Sequence, residues 1–414
     1  MNYRHISVAI PALAEFENLP HLIESLKGQT FSDFDVYICV NNPESWSCSD
    51  DELEHAMYLD NQASIEWLYG QKESCPNLHI LDYSSPTKGW IGKKRGVGWA
   101  RKVLMDAIIN EHADDELVVS LDADTDFSEK YFETVLSTMN ADSKSSCLAV
   151  PYYHPLSGDE DCDRVMLRYE IYMRHYLVNM LDVAIQLRNQ GQHFPYAFTA
   201  LGSAMVFPLW AYRRVGGITP LQAGEDFYLM QKFAKTGQVL LSCNEVVKPQ
   251  GRPSLRVPFG TGPAISKGVD SMDDSYPLYP HEGFEAVAET YSMFPVLYDK
   301  DVDTPIVQFL CHQLKCNDLW KPLRKNFRTR ELFVHACHER VDGLRILQFL
   351  KHYREQMATE RGHILSSEEE LRYCCNNHGI CIPEDFSFVS SSLDIISAIR
   401  DKLFELELSL RKLY

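Results

Sequence analysis

The chain has 414 residues, 45% hydrophobic, 24% charged and 11% aromatic, the composition of an ordinary globular protein with length for one large domain or two to three smaller ones. With 40 Lys and Arg against 58 Asp and Glu, its formal net charge is -18. That is the wrong sign for a protein that tracks nucleic-acid phosphates or an anionic membrane surface, so no nucleic-acid partner is expected. The 12 cysteines, scattered from Cys39 to Cys381 behind an N-terminus without a secretory pattern, point to free thiols in a reducing cytoplasm.

Ile6–Ile10 is a short apolar run that Pro11 stops, a strand. Leu19, Leu22, Ile23 and Leu26 then recur at helical spacing, with Asn18 and Pro20 at the helix start. Val36–Val40 reads as a second strand and Leu78–Leu81 as a third, and the stretch between them holds an inserted helix around Leu53–Leu68. Val97, Ala100, Leu104 and Ile108 mark a helix leading into Leu117–Leu121, a run that is apolar on both faces as a covered central parallel strand is. From Asp163 to Arg188 the pattern is helical, with Tyr169, Met173, Tyr176, Met180, Ala184 and Leu187 on one stripe. Leu201–Phe207 and Val239–Leu241 read as strands. Gly251–Asp274, rich in Gly, Pro, Ser and Arg, reads as a long loop.

The longest uncharged stretch, Phe194–Tyr212, is interrupted by Pro195, Gly202 and Pro208, which argues against a transmembrane segment. Beyond Asp303 the pattern is entirely helical. Asp303-Thr304-Pro305 starts one helix, Ser366–Glu369 has capping-box spacing, and Leu393, Ile396, Ile399, Leu403, Leu406 and Leu410 mark a last amphipathic helix. These elements predict an α/β domain over residues 1–290 with a parallel or mixed sheet, followed by a C-terminal all-helical domain over 303–414. In such sheets ligands bind beyond the carboxyl ends of the strands.

At that end of the central strand stands Asp122-Ala123-Asp124. Two carboxylates one residue apart can face one hard divalent cation that also bridges to a diphosphate. Spacing alone says little, because Asp33/Asp35, Asp159/Asp161 and Asp299/Asp301 repeat it; the buried strand before it sets this pair apart from an acidic turn. Glu225-Asp226, after Gly224 and before Phe227, Met230 and Phe233, opens a helix. Acids are favoured there by the helix dipole alone, and the functional reading is a general base. The basic stretch Lys88–Gly98, with Lys93, and Arg101 on the following helix, reads as a diphosphate cradle or a solvated basic loop. It has neither the Gly-Lys-Ser/Thr of a P-loop nor the strand-first placement of a dinucleotide fingerprint. Arg252 and Arg256, with Gly260-Thr261-Gly262, read as an anion-binding flap or as arginines paired with surface acids. Cys374, Cys375, His378 and Cys381 read as buried cysteines with a capping histidine rather than a zinc site.

In this order along residues 5–262, the chain resembles the GT-A glycosyltransferases of the family 2 type. The elements that carry it are Ile6–Pro11 with Glu15 and Asn18, a second strand ending in Asn41-Asn42, the Gly96/Ala100/Arg101 helix, Leu121–Asp124, Gly202-Ser203-Ala204 with Gly216-Gly217, and Glu225-Asp226. The resemblance implies the GT-A fold, a Rossmann-like mixed sheet, and a transferase using a nucleotide-diphosphate sugar with Mn2+ or Mg2+. It implies that Pro11, Ala12 and Glu15 line the nucleotide, that Asp122, Ala123 and Asp124 form the metal and diphosphate motif, and that Asp226, with Glu225, is the base of an inverting transfer to a carbohydrate or other hydroxyl acceptor. Gly202 would shape the donor pocket, and Lys93, Arg101, Arg252 and Arg256 would face the diphosphate. Asn42 stands where members carry an acid that holds the base, which leaves the nucleotide open. His281 is either a further metal ligand or an ordinary loop histidine. No Gln-x-x-Arg-Trp of processive synthases is present, so single transfers are expected. A retaining synthase acting on a phosphorylated acceptor and a non-catalytic nucleotide-sugar or glycan-binding protein are the alternatives. Peripheral membrane association, through a partner or an apolar patch, stays open.

Overall fold

The computed structural model describes residues 2–92, 96–241, 244–251, 276–361 and 365–414. Two compact units form, one from Met1–Met166 with Ala200–Asp270, the other from Leu167–Thr199 with Ser271–Tyr414.

The first unit is built on a seven-stranded mixed sheet. Its strands are β1 (Ile6–Ala12), β2 (Phe34–Asn41), β3 (Leu78–Tyr83), β4 (Leu117–Ser120), β6 (Cys147–Ala149), β7 (Met205–Pro208) and β8 (Val239–Leu240). They lie in the order β3-β2-β1-β4-β7-β6-β8. β1 runs parallel to both β2 and β4, whereas β7 is antiparallel to β4 and β6. β5 (Thr125–Asp126) pairs separately with β9 (Lys248–Pro249). The expected mixed α/β architecture is therefore present, and the described residues from 276 onward contain helices and no strand.

β1 does not stop before Pro11; it continues to Ala12. The reason lies in the ladder. The carbonyls of His5 and Ala9 accept from Leu117 and Leu121 on the β4 side, so the odd residues of β1 bond toward β4. Pairing with β4 ends at Ala9. Pro11, which has no N–H to give, therefore falls on the side where none is needed.

The helices follow their apolar spacing. α1 (Leu19–Lys27) buries Leu19, Leu22, Ile23 and Leu26 and carries its proline in the first turn. The inserted helix is α2 (Glu52–Gln71), capped by Asp51, whose carboxylate accepts from the N–H groups of Leu53 and Glu54 at 2.9 and 3.1 Å. α3 (Val97–Glu111) starts after Gly96, whose φ of +85° needs glycine, and packs Gly98 so close to the 221 segment that a Cβ would lie 2.1 Å from the Leu221 carbonyl. The expected strand Leu201–Phe207 is shorter. Leu201–Ala204 instead forms a turn in which Ala204 donates to the Leu201 carbonyl, because Gly202 is held by a buried side chain described below. Gly251–Asp274, apart from its first residue, lies outside the described residues.

The long helix α5 (Glu160–Asn189) supplies Leu167 onward to the second unit. There it buries Leu167 and Ile171 with residues of α13 (Ser367–Asn377) and α14 (Leu393–Leu413). The capping box forms as expected: Ser366 accepts from the N–H of Glu369 at 3.2 Å, and the Glu369 carboxylate accepts from the N–H of Ser366 at 2.7 Å. His378 caps the end of α13 and bonds Asp182 at 2.8 Å; Cys374 and Cys375 are buried, whereas Cys381, expected to be buried with them, is exposed on the stretch after the helix. The core of this unit is not wholly apolar. Arg174 pairs with Glu170 and, at 2.6 Å, with Glu407; Arg400 reaches Glu170 at 2.8 Å, and Arg411 reaches Glu407 at 2.8 Å. All five side chains are at most 2% exposed.

The described cysteines are free, and Cys39 on β2 and Cys147 on β6 lie in the sheet core. Burial pushes both thiols well above their usual range. Among the described residues, no helix is long and apolar enough to cross a membrane.

Removing one partner from a buried ion network strands the others. Glu170→Gln, which leaves Arg174 and Arg400 without their shared carboxylate, is expected to cost about 3–5 kcal/mol in urea denaturation.

Candidate functional site

β1 lies between β2, which follows it in sequence, and β4, so the chain reverses its direction of winding between β1 and β4. A crevice opens at such a switch point, outside the carboxyl ends of the two strands. Pro11 and Ala12 end β1, and Leu121–Asp124 follows β4.

Arg101 organises this end. It projects from α3 and is 5% exposed. Its Nη1 donates to the Ser120 hydroxyl at 2.6 Å, its Nη2 to Asp122 Oδ1 at 2.6 Å, and its Nε to Glu225 Oε1 at 3.0 Å. The Ser120 hydroxyl in turn donates to the Gly202 carbonyl at 2.7 Å. Gly202 has to be glycine, since a Cβ there would stand 2.1 Å from Arg101 Nη2. One guanidinium thus joins the end of β4, the turn before β7 and the start of α7 (Glu225–Thr236). A planar fork of fixed donors suits that task, as a lysine would not.

The acid pair at the start of α7 divides by exposure. Gly224, with a φ of +76°, turns the chain into the helix, and Glu225 points inward, 3% exposed. Asp226 is half-buried, and its Oδ1 accepts from the N–H of Phe227 at 2.7 Å. Both carboxyls are pushed above their usual range. For Glu225 the cause is burial first and then repulsion by Asp226, which outweigh the attraction of Arg101 and carry it up to about 7. For Asp226 burial leads again, opposed by Arg101 and reinforced by Asp122.

Asp122 and Asp124 are both half-buried, flanking the buried Ala123. The turn is fixed by the N–H of Thr125 donating to the Asp122 carbonyl at 3.2 Å, and the Asp124 carbonyl accepts from the N–H of Gln250 at 3.2 Å. The Gln250 amide then reaches Asn18 at 3.4 Å, and Asn18 donates to Glu15 at 2.6 Å. Glu15 is therefore tied to the Asp-x-Asp turn through Asn18 and Gln250. With two carboxylates on one short turn, the donor set suits a hard cation that takes its remaining ligands from phosphate oxygens and water.

Asn42, at the end of β2, is buried. It is 1% exposed; its Oδ1 accepts from Asn61 at 3.0 Å and from the Ser84 hydroxyl at 2.5 Å, and its amide donates to the Pro43 carbonyl at 2.9 Å. Asn61, on α2, also bonds the Asn41 carbonyl at 3.1 Å and accepts at 2.8 Å from the N–H of Ala14, which holds a φ of +53°. His281 belongs to the second unit, where its Nδ1 is 3.1 Å from Glu370 and 3.4 Å from Glu282 and its ring stacks on Tyr373. Lys93, Arg252 and Arg256 lie outside the described residues.

Sequence reasoning passed over Ser120, Gln250 and Asn61. Ser120 carried a signal, being the one hydroxyl in an otherwise apolar central strand. Gln250 and Asn61 carried none, because amides on loops and helices are ordinary.

No protein-family model matches this chain, and no curated protein does. Similar solved structures include S. aureus TarS residues 1–349 in complex with UDP-GlcNAc, with 12% identity over 92% of this chain and 95% of that one and a TM-score of 0.41. Another is the mannosyltransferase PcManGT from Pyrobaculum calidifontis in complex with GDP-Man and Mn2+, with 11% identity over 97% of this chain and 87% of that one and a TM-score of 0.38.

Gly202→Ala should force the Arg101 fork off Asp122 and Glu225. The expected result is a loss of about 1–3 kcal/mol of stability in denaturant titration, with Gly216→Ala, where no atom lies within 4 Å of the added methyl, as the comparison for backbone strain alone.

Proposed function

We propose that this chain is a metal-dependent glycosyltransferase that moves a sugar from a nucleotide-diphosphate donor to an acceptor hydroxyl with inversion. The observation that carries the reading is the Arg101 fork at the β1/β4 switch point, which holds Asp122 on one side and the Glu225-Asp226 pair on the other. It ties an Asp-x-Asp turn and a carboxyl pair with raised affinity for protons to one guanidinium, which supports the two functions that this transfer needs.

Asp122 and Asp124 would hold Mn2+ or Mg2+, whose charge offsets the charge that gathers on the departing diphosphate. Arg101 is committed to three protein partners, so it orients Asp122 and Glu225 rather than gripping the donor. Glu225, buried and bonded to that guanidinium, acts as a positioning group. Asp226 is the more accessible carboxylate and the one we assign as base: it takes the proton of the acceptor hydroxyl as the new glycosidic bond forms. Its raised pKa suits it to that task at neutral pH, where an ordinary aspartate is a weak base. Pro11, Ala12, Glu15 and Gly202 would line the donor side, and Lys93, Arg252 and Arg256 carry the charge that would meet its phosphates. The acceptor is a carbohydrate or another hydroxyl compound, met in the cytoplasm.

The first test is a thermal-shift panel of UDP, GDP, CDP, TDP and ADP, each with and without Mn2+. A nucleotide at 100 times its dissociation constant adds about 2.7 kcal/mol, and the shift should need the metal and vanish in Asp124→Ala. No shift with any nucleotide would count against the reading and for a protein without turnover.

Once a donor is found, Asp226→Asn should lower transfer by about 10²- to 10⁴-fold while leaving the nucleotide shift intact; retained transfer would remove the base assignment. The acid limb of the rate should rise as Asp226 loses its proton, above the pH range of an ordinary aspartate, because burial raises its pKa. Stability runs the opposite way. Because the fold favours protonated Glu225, its contribution is present at acid pH and is lost as pH rises from the ordinary carboxylate range to about 7. Denaturation midpoints of wild type and Glu225→Gln measured across that window check the sign, since the variant should lack this decline.

A further inference from the structure

At the opposite, amino-terminal end of the strands, the same unit gathers side chains that the proposed transfer does not use. His5 precedes β1, Asp35 and Tyr37 begin β2, and His112 and Glu116 lie between α3 and β4. The two imidazoles are near-parallel, 19° apart with centroids 5.3 Å apart, and both stand between two carboxylates. On one side Glu116 accepts from His5 Nδ1 at 2.7 Å and faces His112 Nδ1 at 3.4 Å. On the other, both Nε2 atoms face the same oxygen of Asp35, at 3.5 Å from His5 and 3.7 Å from His112.

Those last two distances are too long for hydrogen bonds. With both rings protonated on Nδ1, toward Glu116, their Nε2 atoms would turn lone pairs toward the same side as the Asp35 carboxylate, a set of three donors that a cation can share. The Tyr37 hydroxyl lies between Glu111 Oε2, at 2.7 Å, and His112 Nε2, at 2.9 Å, and adds an oxygen to the cluster. Donor atoms crowded in this way call for a cation among them. The spacing fits one: with zinc–nitrogen and zinc–oxygen bonds of about 2.0–2.1 Å, neighbouring ligands of a tetrahedral ion stand about 3.3–3.4 Å apart. The ligand atoms of His5, Asp35 and His112 all lie within 4.8 Å of one another. Glu116 completes the pattern as the carboxylate that holds the far nitrogen of a metal-bound histidine and fixes its tautomer.

We propose that His5, Asp35 and His112 bind a divalent transition metal, zinc by their mixed nitrogen and oxygen chemistry, with Glu116 positioning both imidazoles and water or the Tyr37 oxygen in the fourth place. The ligand side chains are 17–26% exposed, which leaves a path for entry. The bound ion ties β1, β2 and the α3–β4 connection together far from the switch-point crevice, so it is a tether of the sheet and takes no part in the transfer. The inference stands or falls independently of the proposed activity.

The test uses the whole chain, stripped with chelator and dialysed against zinc chloride. Metal analysis should find one zinc per chain that Asp124→Ala and His281→Ala keep. His5→Ala with His112→Ala, and separately Asp35→Asn, should lose it, and Glu116→Gln should weaken it by about 10- to 100-fold. A wild type that retains no zinc, or ligand variants that retain it all, overturns the proposal. A second measurement needs no variant: diethyl pyrocarbonate labelling of the wild type, mapped by mass spectrometry. Zinc should protect His5 and His112 while the exposed His21 is labelled as before. Equal labelling of His5 and His112 with and without zinc overturns the proposal in the same way.

Discussion

A single buried guanidinium sets the geometry of the candidate site. Moving Arg101 out of water is costly, and only near-complete pairing makes it tolerable. The pairing comes from two separate pieces of chain, Ser120 and Asp122 at the end of β4 and Glu225 at the start of α7, and Ser120 in turn holds the 202 turn. Because the partners are far apart in sequence, the interaction works as a registration device. β4, the 202 turn and α7 can each be correctly formed and still leave Arg101 stranded unless they come to the same point. The glycines obey the same constraint. Gly202 leaves room for the fork itself, and Gly98 lets α3 sit close enough to the 221 segment for Arg101 to reach its partners.

The architecture was largely legible from apolar spacing. β1, β2 and β4 read as strands because both of their faces are covered, and α1, α3 and α14 read as helices because their stripes are regular. What was not legible follows from physics that one sequence does not display. The three-residue β6 is too short to have a period. The end of β1 was misjudged because a proline is harmful only when its missing donor faces a partner strand, and β4 has already departed at that point. The 201–204 stretch is apolar enough to read as strand, but it is bent by a hydrogen bond from Ser120, 82 positions away.

The site was legible as residue types but not as roles. Asp122, Asp124 and Glu225-Asp226 were found by their places at a strand end and a helix start. The division of labour between Glu225 and Asp226 required their different burial. Asn42 illustrates the reverse. Its position suggested the residue that meets the nucleotide base, and in the structure Asn61 on the inserted helix and Ser84 both donate to its acceptor oxygen. Helix α2 thus supports the β1–α1 loop and the end of β2 from behind, holding Ala14 in a backbone conformation that a residue with a side chain seldom adopts. The second unit solves a similar problem with charge instead of amides: Glu170 and Glu407 each serve two arginines in its interior.

The buried thiols give each unit an internal gauge of its own opening. Cys39 and Cys147 lie in the sheet of the first unit, and Cys337, Cys374 and Cys375 are buried in the second. A thiol that is both enclosed and held in its protonated form reacts with an alkylating reagent only when its surroundings come apart. Alkylation rates read peptide by peptide therefore measure two opening free energies in one experiment on the unmodified chain. Equal rates in the two sets would mean that the sheet and the helical unit melt as one body; unequal rates would rank them, and would say which unit a bound nucleotide holds shut.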